Sequence, residues 1–513
     1  MLRPRSRTNT RISLHAAARY IALCLLMLML ANAARAEDRD SRLFRAGAAT
    51  SNITPPLGLS LAGSMRDHTG THIHDELHAR CLVLDDGSTR LAIVLVDNCL
   101  IPREVFDRAK RLVEAESGLP ASHLLMAATH SHSAPTTTPI FQSDPNPEYL
   151  PFLERRIADG VQRAINQLEP ARVAWGSGSL PAAVFNRRWY MQPEGIGEDP
   201  FGQRNDTVRM NPPRASEHLI EPAGPTDPEI SFVALEALDG RPIALLANYS
   251  LHYVGGVGGG HVSADYFGVF ARAIERLLEA DRLDPPFVGI LSNGTSGDIN
   301  NINFREAGVA QAAYEQMNQV GRAVAEELHR AYAGLAWHDW VALDAAVKEL
   351  EAGVRLPTEA DVERARQIVG AAEGPAMRTL PEIYARETLL LSEYPKTVSF
   401  VVQALRIGDL SIGAIPCEVF AEIGLYLKKN SPFTDTFTIE LANGYNGYLP
   451  TPEQHKLGGY ETWRARSSYL EVTASDLISA AVLDLFGQLY ASPGPAGSDP
   501  ASGSPESADH GPR

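Results

Sequence analysis

Residues 91–129, LAIVLVDNCLIPREVFDRAKRLVEAESGLPASHLLMAAT, decide how this chain is read. Residues 91–96 are an apolar run of strand length. Residues 102–118 have helical spacing, with Val105, Ala109, Leu112 and Val113 on one face and a glycine stop. A second strand-like run starts at Leu124. Strand, helix and strand in that order form a βαβ unit, whose parallel strands are joined by a right-handed connection. The second strand runs into Thr129-His130-Ser131-His132. Residues two apart on a strand point to the same side, so both imidazoles are expected to face one pocket.

Working outward, the pattern returns downstream. Residues 243–249 read as a strand, 266–280 as a helix with Val269, Ala273 and Leu277 on one face, and 287–291 as a strand. A third strand, 410–415, passes through Pro416-Cys417-Glu418 into a helix ending near Lys429, with Glu418 expected in that helix's first turn. Upstream, 78–84 reads as another strand. The fold class expected is therefore α/β: one large mixed domain with parallel βαβ units and an active site at the strand carboxyl ends, where ligands collect in such sheets. Those ends carry His130, His132, His252, the loop 292–303 and Glu418. Between 350 and 395, two helical patterns read as a packed surface pair, an insertion or a lid.

The composition, 44% hydrophobic and 21% charged over 513 residues, is that of a globular protein with a large core. Residues 1–36 combine arginines, an apolar core at 20–30 and Ala34-Arg35-Ala36 as a cleavage site, so they read as a signal peptide of a secreted or periplasmic protein. That segment holds six arginines and no acid, so its removal takes the formal charge from −16 to −16 − 6 = −22. Such acidity argues against nucleic-acid binding and against anionic membranes. No later apolar run is long enough for a membrane helix. Cys24 leaves with the signal, and Cys81, Cys99 and Cys417 remain, too few for a disulfide framework. The tail, 491–513, is rich in Pro, Gly and Ser with little to bury, and is expected to be disordered. The catalytic domain is expected to span 37–490.

His130, His252 and Glu418 are the types of side chain that hold a catalytic zinc, which takes three or four N and O ligands and keeps a position open. None forms a local signature such as HExxH, and each also has a purely structural reading. The loop 291–301, LSNGTSGDINN, reads either as a wrap for a substrate carbonyl or as a simple Gly-Asp turn. The stretch 443–453, NGYNGYLPTPE, repeats tyrosine among glycines, which suits exposed turns, a metal-bound phenolate or an oxyanion donor.

Six ordered stretches, SNITPP (51–56), HDELHARCLVLDDG (74–87), ATHSHSAP (128–135), NGTSGDIN (293–300), AIPCEVF (414–420) and GYLPTPEQHKLGGYE (447–461), resemble the N-terminal catalytic domain of the neutral/alkaline ceramidase family, from about Gly47 to Gly487. The resemblance implies a zinc hydrolase that cleaves the amide between a fatty acid and a sphingoid base. Carried over residue by residue, it implies that His130, His252, Glu418 and Tyr448 hold zinc, that His132 lines the site, and that Arg187, in the pair Asn186-Arg187, and Tyr460 contact substrate. Two departures stand out. The family's serine, two residues after a Gly-Asp pair, is replaced by Asn300 after Gly297-Asp298. A covalent serine mechanism is thereby put in doubt, and zinc-activated water is favoured, with Asp298 or His132 as proton carrier. No C-terminal immunoglobulin-like domain is expected. The implied partner is a small lipid or N-acyl amide. Two alternatives stay open, a hydrolase of the same fold acting on another acyl amide or ester, and a non-catalytic envelope protein binding a lipid or glycan.

Overall fold

The computed structural model describes residues 43–492; the expected signal peptide and all of the expected tail beyond Ser492 lie outside the described residues. Eight strands form the larger sheet: β1 Arg45–Asn52, β2 His78–Asp85, β3 Arg90–Val96, β4 Leu124–Ala128, β5 Glu169–Ser179, β6 Glu229–Ala237, β7 Pro242–Tyr249 and β8 Val288–Asn293. Their spatial order is β8-β7-β6-β5-β1-β2-β3-β4. The smaller sheet orders β9 Leu343–Gly353, β10 Thr397–Ile407, β11 Leu410–Ala414 and β12 Asp435–Ile439 in sequence. Nine helices of the described chain follow as α1 Arg103–Ser117, α2 Tyr149–Asn166, α3 Asp265–Leu277, α4 Glu315–Tyr332, α5 Glu359–Gly370, α6 Leu380–Leu391, α7 Ala421–Asn430, α8 Pro452–Leu457 and α9 Ala474–Ala491.

Both expected βαβ units are present. β3-α1-β4 pairs Ala92 with Leu124 in parallel, and β7-α3-β8 pairs Ala244 with Val288 in parallel. The unbroken apolar run of β3 is explained by burial on both faces. Leu91, Ile93 and Leu95 turn toward the smaller sheet, while Ala92, Val94 and Val96 pack under α1 and α2. Each such aliphatic side chain contributes about 1.5–3 kcal/mol by leaving water. α1 stops where expected, at Gly118 in the left-handed region, whose N–H donates to Glu114 O. α3 and α4 cover the other half of the large sheet, and α7 and α9 cover the smaller one.

The sheet is not the open parallel array that two βαβ units suggest. Its parallel pairs are the two outermost, at opposite edges, and the strands between run antiparallel. The edges are then joined by the segment after β12. Glu440 N–H donates to Asn293 O at the end of β8 (3.2 Å), Ala128 N–H donates to Leu441 O (3.2 Å), and Asn443 N–H donates to Met126 O in β4 (2.7 Å). This seam brings the carboxyl ends of β4 and β8 to one place, although many strands separate them in sheet order.

The helical pair α5-α6 begins later than expected, because 350–353 still belong to β9. Both helices open with a full capping box, Thr358 with Asp361 and Thr379 with Glu382. α6 is pinned from beneath. Arg466 donates through Nε and Nη2 to the two oxygens of Glu387 at 2.9 and 2.7 Å, with both side chains buried. Removing one partner of such a pair costs ~3–5 kcal/mol, so this contact anchors α6 to the loop that carries Arg466.

Candidate metal centre

Three strand ends deliver the central side chains, but by local geometry that differs from the expected pattern. β4 ends at Ala128, and His130 sits in the left-handed region at φ 76 with its N–H donating to Asn98 O (2.8 Å). The two-residue alternation of a strand therefore does not apply to His130 and His132, although both imidazoles do reach one cavity. Glu418 is not in a helix first turn. It lies in the short strand Glu418–Val419, parallel to Tyr448–Leu449, and α7 begins only at Ala421. Glu418 and Tyr448 are direct partners in that pairing, so their side chains stand side by side.

The imidazoles converge through their Nε2 atoms. His130 Nε2 is 2.9 Å from His252 Nε2 and 3.1 Å from His132 Nε2. Each Nδ1 faces a backbone carbonyl: Cys99 O for His130 (3.0 Å), Gly63 O for His132 (2.9 Å) and Ser296 O for His252 (3.1 Å). A carbonyl oxygen only accepts, so each Nδ1 carries the proton and each Nε2 turns a lone pair inward. Glu418 Oε2 joins them, 3.3 Å from His130 Nε2 and 3.9 Å from His252 Nε2, and has no hydrogen-bond donor of its own. Its other oxygen accepts from Tyr445 OH (3.0 Å).

Three inward lone pairs and an orphaned carboxylate oxygen, in side chains that are 1–3% exposed at His130, His252 and Glu418, cannot satisfy one another. A shared proton, a water hydrogen or a cation would satisfy them. Burial pulls His130 down, yet Cys99 and Glu418 beside it carry it well above an ordinary imidazole. Burial, and then the charge on His130, push His132 and His252 well below theirs. Burial opposes ionisation of Glu418, but His130 outweighs it and the carboxyl stays below its ordinary value. The ligand atoms of His130, His252 and Glu418 all lie within 4.8 Å of one another, a spacing that fits a metal ion.

Around this centre lies a cavity of about 500 Å³ whose walls include Arg187, Tyr445, Tyr448, Tyr460, Leu100, Ile140, Phe141, Leu380 and Ile383. Arg187 is buried and held through two of its nitrogens: Nε donates to Glu461 Oε1 (2.9 Å), and Nη2 donates to Gly297 O (2.9 Å) and Tyr448 OH (3.0 Å). Glu461, with no exposed surface, also takes Arg188 Nη1 at 2.7 Å, so one acid holds both guanidinium groups. Burial, and after it Glu418, keeps the Tyr448 phenol well above its ordinary value.

The structure thus brings His130, His132, Arg187, His252, Glu418, Tyr448 and Tyr460 to one cavity. Asp298 and Asn300 are not among its walls. Asp298 accepts from Asn186 Nδ2 (2.6 Å) and from Ala421 N–H (2.8 Å), fastening the start of α7, and burial raises its carboxyl to about 6. Asn300 donates to Asn211 Oδ1 (2.7 Å), and it is Asn211 that reaches the cavity. The loop 292–303 works from behind, through Ser296 O on His252 and Gly297 O on Arg187. Cys417 points into the core with Ile415 and Val419, whereas Cys99 lines the cavity with Sγ 3.8 Å from His130 Nδ1. Three further residues carry weight that the sequence did not assign. They are Tyr445; Tyr253, whose ring stacks on His132 at 3.6 Å; and Glu440. Tyr253 had a signal in its place beside His252, and Tyr445 in the tyrosine repeat; Glu440 had none.

The family model described as "Neutral/alkaline non-lysosomal ceramidase, N-terminal" matches residues 44–319. The neutral ceramidase of Pseudomonas aeruginosa is 29% identical over 180 residues, which are 33% of this chain and 26% of that protein, so the matched part spans about a quarter of that relative. The crystal structure of neutral ceramidase from Pseudomonas aeruginosa superposes with a TM-score of 0.65 at 18% identity, over 87% of this chain and 74% of the other. A ceramidase complexed with C2 gives 0.67 at 17%, over 87% and 75%. At that identity the two structures speak to the fold, which is shared.

Proposed function

Because this chain belongs to the neutral/alkaline non-lysosomal ceramidase family, we propose that it is an exported zinc amidohydrolase cleaving the N-acyl bond of a ceramide-like lipid. The observation that carries this is the convergence of three Nε2 lone pairs with the orphaned Glu418 oxygen at the base of a 500 Å³ cavity. His130, His252, Glu418 and Tyr448 would hold the ion. Imidazole, carboxylate and phenol donors suit zinc better than calcium or magnesium, which favour oxygen alone. A bound zinc supplies Lewis acidity, polarising a carbonyl and lowering the pKa of water.

The chain's own residues do the rest. His132, kept neutral by burial, offers an Nε2 lone pair to take a proton from attacking water and return it to the leaving amine. Arg187 and the hydroxyl of Tyr460 would present positive charge and a donor to oxygen as it becomes anionic. Leu100, Ile140, Phe141, Leu380 and Ile383 give an alkyl chain an apolar wall. Asn300 is turned toward Asn211, which supports attack by water over an acyl-enzyme.

Zinc analysis of the purified mature protein, with turnover of a fluorescent N-acyl sphingosine beside a panel of other amides and esters, tests the proposal. Stoichiometric zinc with sphingosine release is expected. Zinc near zero with all ligands intact would sink the metal, and turnover of another acyl bond alone would redirect the substrate. N-terminal sequencing of the exported protein should begin at Glu37.

A further inference from the structure

Glu440 is the first residue after β12 and has no exposed surface. Among the described residues no Lys, Arg or His pairs with it. Its oxygens instead collect neutral donors from two segments. Oε2 accepts Val419 N–H (2.6 Å) and Ser296 N–H (3.3 Å), and Oε1 accepts Ser296 OH (2.6 Å). Val419 directly follows Glu418. Ser296 supplies the carbonyl that takes His252 Nδ1–H, and its hydroxyl lies 3.4 Å from that same nitrogen. One buried carboxylate therefore grips the backbone beside one proposed metal ligand and the residue that orients another.

A fully buried carboxylate without a cationic partner is costly. In the ion-free chain, burial holds its acid form up to about 8. Positive charge in the cluster of His130, His252 and Glu418 would offset that cost. Outer groups that hydrogen-bond to ligand carriers commonly fix ligand orientation and tune affinity for the metal.

Resting on the metal-centre reading above, we infer that Glu440 is a positioning residue of that centre, setting the relative placement of His252 and Glu418 and so the affinity for the ion. Glu440→Ala should weaken zinc binding, measured by chelator competition, by roughly 100-fold, and Glu440→Gln, which keeps an acceptor for the two amides, by roughly tenfold. The visible spectrum of the Co²⁺-loaded protein should shift in both, and the unfolding temperature of metal-free Glu440→Gln should stay near that of the parent. If Glu440→Ala does not fold, Glu440→Gln carries the test. Variants that bind zinc as tightly as the parent with an unchanged Co²⁺ spectrum, beside a His130→Ala control that has lost the metal, would overturn this inference alone. A His130→Ala protein that binds zinc like the parent would overturn the metal reading and this inference together.

Discussion

The two βαβ units use the same architecture in opposite senses. In β3-α1-β4 the histidine follows the second strand, and the carbonyl that orients it, Cys99 O, follows the first. In β7-α3-β8 the histidine follows the first strand, and its orienting carbonyl, Ser296 O, follows the second. Both put a ligand and its orienter on adjacent loops of one parallel pair, where strand ends are side by side. They differ in what stands behind the orienter. Ser296 is backed by Glu440, whereas Cys99 adds only a buried thiol that burial holds above its ordinary value. They also differ in backbone, since His130 needs a left-handed conformation that costs of order 1–3 kcal/mol. The same supersecondary element can thus supply half of the proposed metal site from either of its loops, provided a backbone carbonyl faces Nδ1.

The largest effects come from removing either unit's ligand. His130→Ala and His252→Ala should each lose the metal and lower turnover by roughly three orders of magnitude or more, since several kcal/mol of charge stabilisation go with the ion. Metal analysis with kinetics checks this, and unequal losses would show that the units are not equivalent partners. Next comes His132, which only the first unit supplies. His132→Ala should retain zinc and lose about 100-fold in kcat, the scale of a missing proton carrier. Loss of zinc in that variant would make it a ligand instead.

Smaller effects separate the orienters. Both carbonyls survive replacement by alanine, but Ser296→Ala loses the hydroxyl that binds Glu440 and should cost about tenfold in metal affinity, whereas Cys99→Ala should cost less than about threefold. Equal effects in chelator competition would erase the asymmetry. The smallest test concerns stability. Lys110, on α1, is buried with Nζ donating to Asn443 Oδ1 (2.8 Å), and burial lowers it from 10.5 to about 8. Its folded value lies below the unfolded one, so the native state binds fewer protons between those limits and stability rises with pH from about 8 to about 10.5. Lys110→Met should be more stable at pH 7 by about 2 kcal/mol in denaturant titrations, an advantage that disappears by about pH 10.

Much of this was legible in residue order. The run 91–96 and the helix to Gly118 specify their own conformation, because apolar period and a glycine stop are local properties. The antiparallel strands β5, β6, β9 and β10 were not legible, since their pairings are non-local and their apolar patterns less continuous. His130, His252 and Glu418 were readable as strand-end residues of ligand type. Asp298 and Asn300 were equally plausible by type, yet their side chains turn away to Ala421 and Asn211. Loop residues of small polar type do not encode which way they face.

The sequence by itself determined the two βαβ units, the histidines at their loops and the family to which the motifs belong. Tertiary structure alone decided that units at opposite edges of one sheet share a site. The seam of Glu440, Leu441 and Asn443 draws those edges together, through backbone hydrogen bonds whose partners are separated by more than a hundred residues. Such bonds depend on how strands roll and meet, and no side-chain pattern within either strand records it.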